Sequence, residues 1–252
     1  MQIVGMIPVR LESTRLPEKA LALIQNIPMI LHTWKRCSFS KLLTDLYVVT
    51  DSEKIKDLIC SHGGKVIMTR SDHLSGSDRL AEAVANLDVD VVINIQGDEA
   101  LVDPCHIDKL ISNFIGNDSP VGLLATKYSK VNSPSDIKLV VNEKNNVMYA
   151  SRADIPFSKN GQKNDFLKAY HVVAFQKDFL MRYSSWQPTQ LELIEGNEYL
   201  RILEKGYSIS VTEVPSSAIS VDTAEDLSFV NQEMGKDSLF AIYKADLKSV
   251  SN

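Results

Sequence analysis

IVGMIPVRLESTRLPEK (Ile3–Lys19) opens the chain with a short apolar run followed at once by three basic residues, Arg10, Arg15 and Lys19. Ile3–Ile7 reads as a buried strand. Positive charge just past the carboxyl end of such a strand collects a polyanion, because open α/β sheets bind ligands in the crevice outside their strand ends. Backbone N–H groups and cationic side chains can surround phosphate oxygens there. The loop taken alone also reads as a solvated basic turn, in which Glu12 and Glu18 offset part of the charge.

Working outward, short apolar runs alternate with helical patterns. Pro28–Ser38 has helical spacing with Asn26 as a candidate cap. Asp45–Thr50 and Lys65–Met68 read as strands, with a helix over Ser52–Ser61 ending at Gly63-Gly64. Ser77–Leu87 reads as a helix capped by Ser77, and Val89–Ile95 as a strongly apolar strand. Such alternation implies βαβ units and a mostly parallel sheet covered on both faces. The second half is less regular. A helix over Pro104–Phe114 precedes strands at Val121–Thr126, Ile137–Val141, Val147–Ala150 and Leu167–Phe175, with a turn at Asn145-Asn146. Helix then falls within Glu192–Glu204, a strand at Ser208–Val214, and a helix over Thr223–Met234 opened by Asp222 or Thr223. The last residues read as a short helix or a loose tail, and the whole as one domain with an inserted lobe.

A chain of 252 residues can bury a sizeable core, and 44% apolar with 23% charged residues is ordinary for a globular protein. A net charge of −5 argues against nucleic-acid binding, so a basic loop on an acidic background points to a small anionic ligand. Cys37, Cys60 and Cys105 form no C-x-x-C pair, which fits a reduced, cytoplasmic protein. The start MQIVGMIPV lacks a basic n-region and reads as a strand rather than a signal peptide. No apolar stretch approaches the ~20 residues of a membrane span, so no membrane partner is expected.

INIQGDEALVDP (Ile93–Pro104) ends the most apolar strand with Gln96, Gly97, Asp98 and Glu99. Carboxylates at a strand's end, opposite a phosphate-binding loop, are where magnesium would be held, since it takes one or two carboxylates plus substrate phosphates. Gly97-Asp98 can equally be a simple turn. SVDTAEDL (Ser220–Leu227) supplies a second carboxylate, Asp222, which is also an ordinary helix cap. His32, His62 and His106 read as surface or half-buried residues, and Trp34 and Trp186 as packing residues.

In order along the chain, IPVRLESTRLPEKAL, HLSGSDR, NIQGDEALVDP, SRADIP, WQPTQLELIEGNEYLRILEKGYSI and SVDTAEDL resemble the motifs of the 3-deoxy-manno-octulosonate (Kdo) cytidylyltransferases. These enzymes make CMP-Kdo from CTP and Kdo. The resemblance runs from residue 1 to about 235 and implies a three-layer αβα fold of the nucleotide-diphospho-sugar transferase kind. It also implies a small inserted dimerisation and sugar-binding lobe, a homodimer, Mg2+ dependence and a place in lipopolysaccharide biosynthesis. On this reading residues 1–235 form one cytidylyltransferase domain and 236–252 a C-terminal helix or tail. Carried over by position, Pro8, Arg10, Ser13, Arg15 and Lys19 would take the triphosphate. Ser75, Gly76, Ser77 and Arg79 would line the nucleotide pocket, with Gln96 near nucleotide and sugar. Asp98 and Asp222 would coordinate magnesium, Arg152 would pair with the ulosonate acid, and Lys168, His171, Glu195, Glu198 and Tyr199 would complete the sugar-acid pocket. Arg15, Lys19, Asp98 and Asp222 are the expected catalytic set.

The departures cluster on the acceptor side. Where the family carries a K-H-I-G-I-Y-like strand, this chain has Lys168-Ala169-Tyr170-His171-Val172-Val173, so Ala169, His171 and Val173 replace His, Gly and Tyr. Tyr199 stands where Gln is usual, Glu18 and Ala20 where Gly and Pro are common, and Leu74 where Gln is common. An unpaired buried donor can change discrimination by several kcal/mol. The acceptor is therefore Kdo, or an 8-amino-Kdo, a nonulosonate or a phosphonate. Alternatively Tyr170, His171 and Tyr199 supply equivalent contacts to Kdo. A non-catalytic sugar-nucleotide sensor is the remaining reading.

Overall fold

A computed structural model describes residues 1–12, 16–73, 75–128, 130–159, 166–216 and 219–248. In chain order the elements are β1 (Ile3–Pro8), the hairpin β2 (Leu23–Ile24) and β3 (Ile27–Pro28), α1 (Met29–Cys37), β4 (Asp45–Thr50), α2 (Glu53–Ser61), β5 (Lys65–Met68), α3 (Gly76–Val84), β6 (Val91–Ile95) and α4 (Pro104–Phe114). There follow β7 (Val121–Tyr128), β8 (Lys138–Val141), β9 (Val147–Ser151), β10 (Phe166–Gln176), α5 (Lys177–Ser184), α6 (Gln190–Glu195), α7 (Tyr199–Glu204), β11 (Ile209–Val214), α8 (Ala224–Lys236) and α9 (Ser238–Lys248). The chain divides into two compact units: unit 1 is Met1–Asp108 with Ala218–Asn252, and unit 2 is Lys109–Ser217.

In unit 1 the strands run β6-β1-β4-β5, and every pairing is parallel. All residues of β1 and β6 are buried, which requires cover on both faces. Parallel strands bring their carboxyl ends to one edge, so Val9-Arg10, Asp51, Thr69 and Gln96–Asp98 emerge together. Gly64 lets α2 close tightly, since a Cβ there would lie 2.9 Å from the Trp34 ring. Ser52 caps α2 by accepting from Ile55 N.

Three local expectations are corrected. Asn26 does not cap α1: Gln25 and Asn26, at φ 50° and 64°, form the tight turn of the β2–β3 hairpin, whose twist needs left-handed residues. The cap of α3 is Ser75, two residues before Ser77, and its hydroxyl accepts from Asp78 N. Neither His106 nor His32 is exposed or half-buried: His106 is buried, and so, fully, is His32. Its Nδ1 lies 2.9 Å from the Tyr243 hydroxyl and its Nε2 2.9 Å from the Ile24 carbonyl, and burial pushes its pKa down to about 4. Tyr243 belongs to α9, so residues Ser238–Lys248 form a helix docked on α1.

In unit 2 the order β11-β7-β10 is mixed: β11 runs parallel to β7, while β10 is antiparallel to β7 and to β8, and β8 to β9. The register of β10 against β7 slips between Tyr170 and Val173, a bulge that contains His171. The helix expected within Glu192–Glu204 is two short ones, α6 and α7, broken where Gly196 turns left-handed at φ 58°. Among the described residues no helix is long and apolar enough to cross a membrane.

Candidate functional site

At the carboxyl edge of the unit 1 sheet a cleft of about 300 Å3 opens. Pro8, Arg10, Lys19, Ser75, Gly76, Arg79, Gln96 and Asp98 line it, the first seven expected from sequence at the nucleotide and Asp98 at the metal. Ser77 is buried in the first turn of α3 rather than lining the cleft. Ser13 and Arg15 lie outside the described residues, as does Leu74.

Each wall follows from local chemistry. Gly97 lets the loop after β6 press against the end of β1, because a Cβ there would lie 3.3 Å from Val9 Cβ and 3.4 Å from the Pro8 carbonyl. The Thr33 hydroxyl of α1 donates to the Gly97 carbonyl at 3.0 Å, fixing that loop from below. Arg79 is buried, donating to Thr69 Oγ1 at 2.7 Å and facing Asp51 Oδ1 at 3.4 Å. Ser75 and Gly76 bring the start of α3 to the cleft, and a helix N-terminus favours anions there.

Lys19 joins the two aspartates. Its Nζ lies 2.5 Å from Asp98 Oδ2 and 3.0 Å from Asp222 Oδ1, so carboxylates 124 positions apart in sequence converge on one point. Burial alone would lower the Lys19 pKa, but Asp98 and then Asp222 outweigh it and hold the ammonium above the ordinary lysine value. Val221 N donates to the Asp98 carbonyl at 3.2 Å, and the Ser220 hydroxyl to Glu99, which ties the two aspartate-bearing segments side by side. Thr223 rather than Asp222 caps α8, through a reciprocal box with Asp226. Asp222 directs its carboxylate to Lys19.

These residues fit a hard divalent cation. Among the described residues no three His, Cys, Asp or Glu side chains group to hold a metal unaided. Two oxygen donors meeting at one point, with the rest supplied by a ligand's oxygens, is the arrangement magnesium takes.

Sequence reasoning missed His73, which lines the cleft and pairs through Nε2 with Glu82, itself bonded to Arg70. Its place in HLSGSDR was the available signal. Glu12 also lines the cleft.

The remaining expected residues lie in unit 2, where they are spent largely on the chain itself. Arg152 donates to the carbonyls of Glu195 (2.8 Å), Gly196 (3.0 Å), Pro134 (2.8 Å) and Ser135 (3.4 Å). Glu195 accepts from the Ser151 hydroxyl at 2.6 Å and Arg152 N at 2.9 Å. Glu198 accepts from the Tyr183 hydroxyl at 3.1 Å. Lys168 lies 3.0 Å from Asp136 and over the Tyr128 ring. Burial works against the Asp136 carboxylate, yet bonds from Ser133, Tyr128 and Lys168 hold its pKa down at about 2. His171, aimed by the bulge, meets the Tyr199 hydroxyl at 3.1 Å with the two rings stacked. Tyr170 is buried in the core.

The cytidylyltransferase family model matches residues 4–210. The 3-deoxy-manno-octulosonate cytidylyltransferase of Trichlorobacter lovleyi is 37% identical over 93% of this chain and 99% of its own. The 8-amino-3,8-dideoxy-manno-octulosonate cytidylyltransferase of Shewanella piezotolerans is 36% identical over 94% of this chain and 100% of its own. A CMP:2-keto-3-deoxy-manno-octonic acid synthetase solved with CTP superposes with a TM-score of 0.90 at 34% identity, covering 94% of this chain and 99% of that one. A 4-diphosphocytidyl-2C-methyl-D-erythritol synthase from Anaerococcus prevotii, at a TM-score of 0.64 and 15% identity, shares the fold. Cleft, sheet edge and co-linear motifs thus agree with the matches in placing this chain in the cytidylyltransferase family of nucleotidyltransferases.

Proposed function

We propose that the chain transfers CMP from CTP to the anomeric hydroxyl of a 3-deoxy-ulosonic acid, Kdo in the first instance, and releases pyrophosphate. The observation that carries this reading is the meeting of Lys19 with Asp98 and Asp222 beside a cleft lined by Arg10 and the start of α3. The triphosphate lies along Pro8, Arg10, Ser13, Arg15 and Lys19, and Ser75, Gly76, Arg79 and Gln96 surround the nucleoside, with Ser77 packed behind them in the first turn of α3. The sugar oxygen attacks the α-phosphorus in line. A new C–O–P bond forms, the bond from that phosphorus to the bridging oxygen of pyrophosphate breaks, and the hydroxyl proton leaves to solvent. Lys19 and Arg15 neutralise charge on the α-phosphate and the departing pyrophosphate, so rate comes from positioning two anions and screening their repulsion. Asp98 and Asp222 would hold Mg2+ with triphosphate oxygens completing its shell. When bound, that ion supplies Lewis acidity to the attacking hydroxyl and the leaving oxygens.

The acceptor belongs to unit 2. Lys168, His171 and Tyr199 contact the acid in this reading, while Glu195 and Glu198 fix the segments around them. The four carbonyls on its guanidinium make Arg152 a positioning residue. Residues 1–235 act as one catalytic domain, with α9 a C-terminal appendage; the family match over residues 4–210 supports the greater part of it. The free cysteines and the resemblance support a cytoplasmic homodimer serving lipopolysaccharide synthesis.

A second reading keeps CTP and takes 8-amino-Kdo, favoured by the Shewanella relative. Pyrophosphate release across CTP, UTP, GTP and ATP, each with Kdo, 8-amino-Kdo and a nonulosonate, tests both. Release from CTP with an octulosonate is expected. Silence with every acid, or a preference for another nucleotide, would overturn the proposal.

A further inference from the structure

Lys19 stands at the point where a divalent cation would bind. Its ammonium satisfies Asp98 and Asp222 together, at 2.5 and 3.0 Å, and the three side chains are only 19%, 22% and 30% exposed. A free divalent ion arriving there would meet carboxylates already neutralised and a like charge within contact distance. It could enter only by expelling the lysine, which would then lose its counter-charges in a partly buried place. A metal–triphosphate brings both things needed: a cation for the aspartates and an anion for the ammonium. Lys19 also lines the 300 Å3 cleft, and its four-carbon stem can swing the ammonium from the aspartates to a phosphate inside it.

Resting on the reading of Asp98 and Asp222 as the metal holders, we propose that Lys19 is an internal stand-in for the divalent ion. It bars free metal from the two aspartates and yields only to a metal–nucleotide. Metal and nucleotide affinities are then coupled, and by linkage each raises the other by the same factor.

The test uses the full chain with Mn2+ as the metal probe. Binding is read by electron paramagnetic resonance and water-proton relaxation, which separate protein-bound Mn2+ from Mn–CTP. Wild type should hold Mn2+ at least tenfold more weakly without CTP than with it. Lys19→Met and Lys19→Gln should hold Mn2+ without CTP at least tenfold more tightly than wild type, while Asp98→Asn should lose the site. Melting curves check that the variants fold, and the wild-type comparison with and without CTP needs no variant. Equal Mn2+ affinity of wild type with and without CTP would overturn the stand-in while leaving the metal reading intact. So would Lys19 variants that bind no tighter than wild type. No protein-bound Mn2+ even with CTP, or unchanged binding by Asp98→Asn, would overturn the metal reading and the stand-in with it.

Discussion

In unit 1, Arg10, Lys19, Gln96 and Asp98 line an open cleft, and two aspartates share one lysine at its rim. In unit 2, Arg152, Glu195 and Lys168 are committed to main-chain carbonyls, a serine hydroxyl and Asp136. The first set faces an open cleft; the second is bonded to the chain itself. On the proposed function the cleft takes the triphosphate once Lys19 turns from the aspartates, and selection among sugar acids falls to the half-buried His171 and the buried Tyr199.

The contrast breaks most visibly at the aspartates. Asp98→Asn or Asp222→Asn should lower kcat by roughly 10^3-fold or more, since charge stabilisation in the transition state is lost. Stability should shift by no more than about 1 kcal/mol, because the pair with Lys19 is partly exposed. A parallel fall in melting temperature and activity would mark the aspartates as structural.

Asp136→Asn is expected to do the reverse. The folded carboxyl titrates at about 2, below the ordinary aspartate value. Its stabilisation is therefore present above about pH 4 and is lost as pH falls toward 2, amounting to at most about 2 kcal/mol. Urea melts between pH 2.5 and 7 should show the variant weakened by about that amount at neutral pH, with a flatter acid limb. CTP affinity should stay at the wild-type value.

Tyr199→Gln sharpens the comparison by restoring the family's usual residue and removing the hydroxyl bonded to His171. Steady-state assays should show the ratio of kcat/KM for Kdo against 8-amino-Kdo moving by about tenfold, with KM for CTP unchanged. A variant that altered only the CTP parameters would detach Tyr199 from acceptor choice.

The smallest effect is expected from Ser220→Ala, which deletes the hydroxyl donated to Glu99 between the two aspartate segments. One hydrogen bond is worth about 1 kcal/mol, so activity at limiting Mg2+ should fall by about fivefold and recover at high Mg2+. Loss that saturating metal cannot restore would contradict a positioning role.

Strands β1, β4 and β6 were legible because apolar runs of strand length between turn residues allow few alternatives. The cleft residues were legible from motifs that end those strands. Other features depended on partners far along the chain. His32 is buried by Tyr243, 211 positions on, and nothing near either residue announces the pairing. The pairing of Lys19 with its two aspartates was not legible, because they lie 79 and 203 positions away. The β2–β3 hairpin hid in Gln25-Asn26, where an unusual backbone conformation falls on residues that are not glycine. Helix α5 went unread beside the long apolar strand β10, and Gly196 split what periodicity joins into one helix.

The most direct measurement is calorimetric titration of CTP into wild type, Asp98→Asn and Asp222→Asn, each with and without Mg2+. Wild-type affinity should rise at least tenfold with Mg2+, and both variants should lose that rise while binding metal-free CTP about as well as wild type. A variant that keeps the full Mg2+ dependence would contradict the assignment of opposed charges at this sheet edge to a metal–triphosphate.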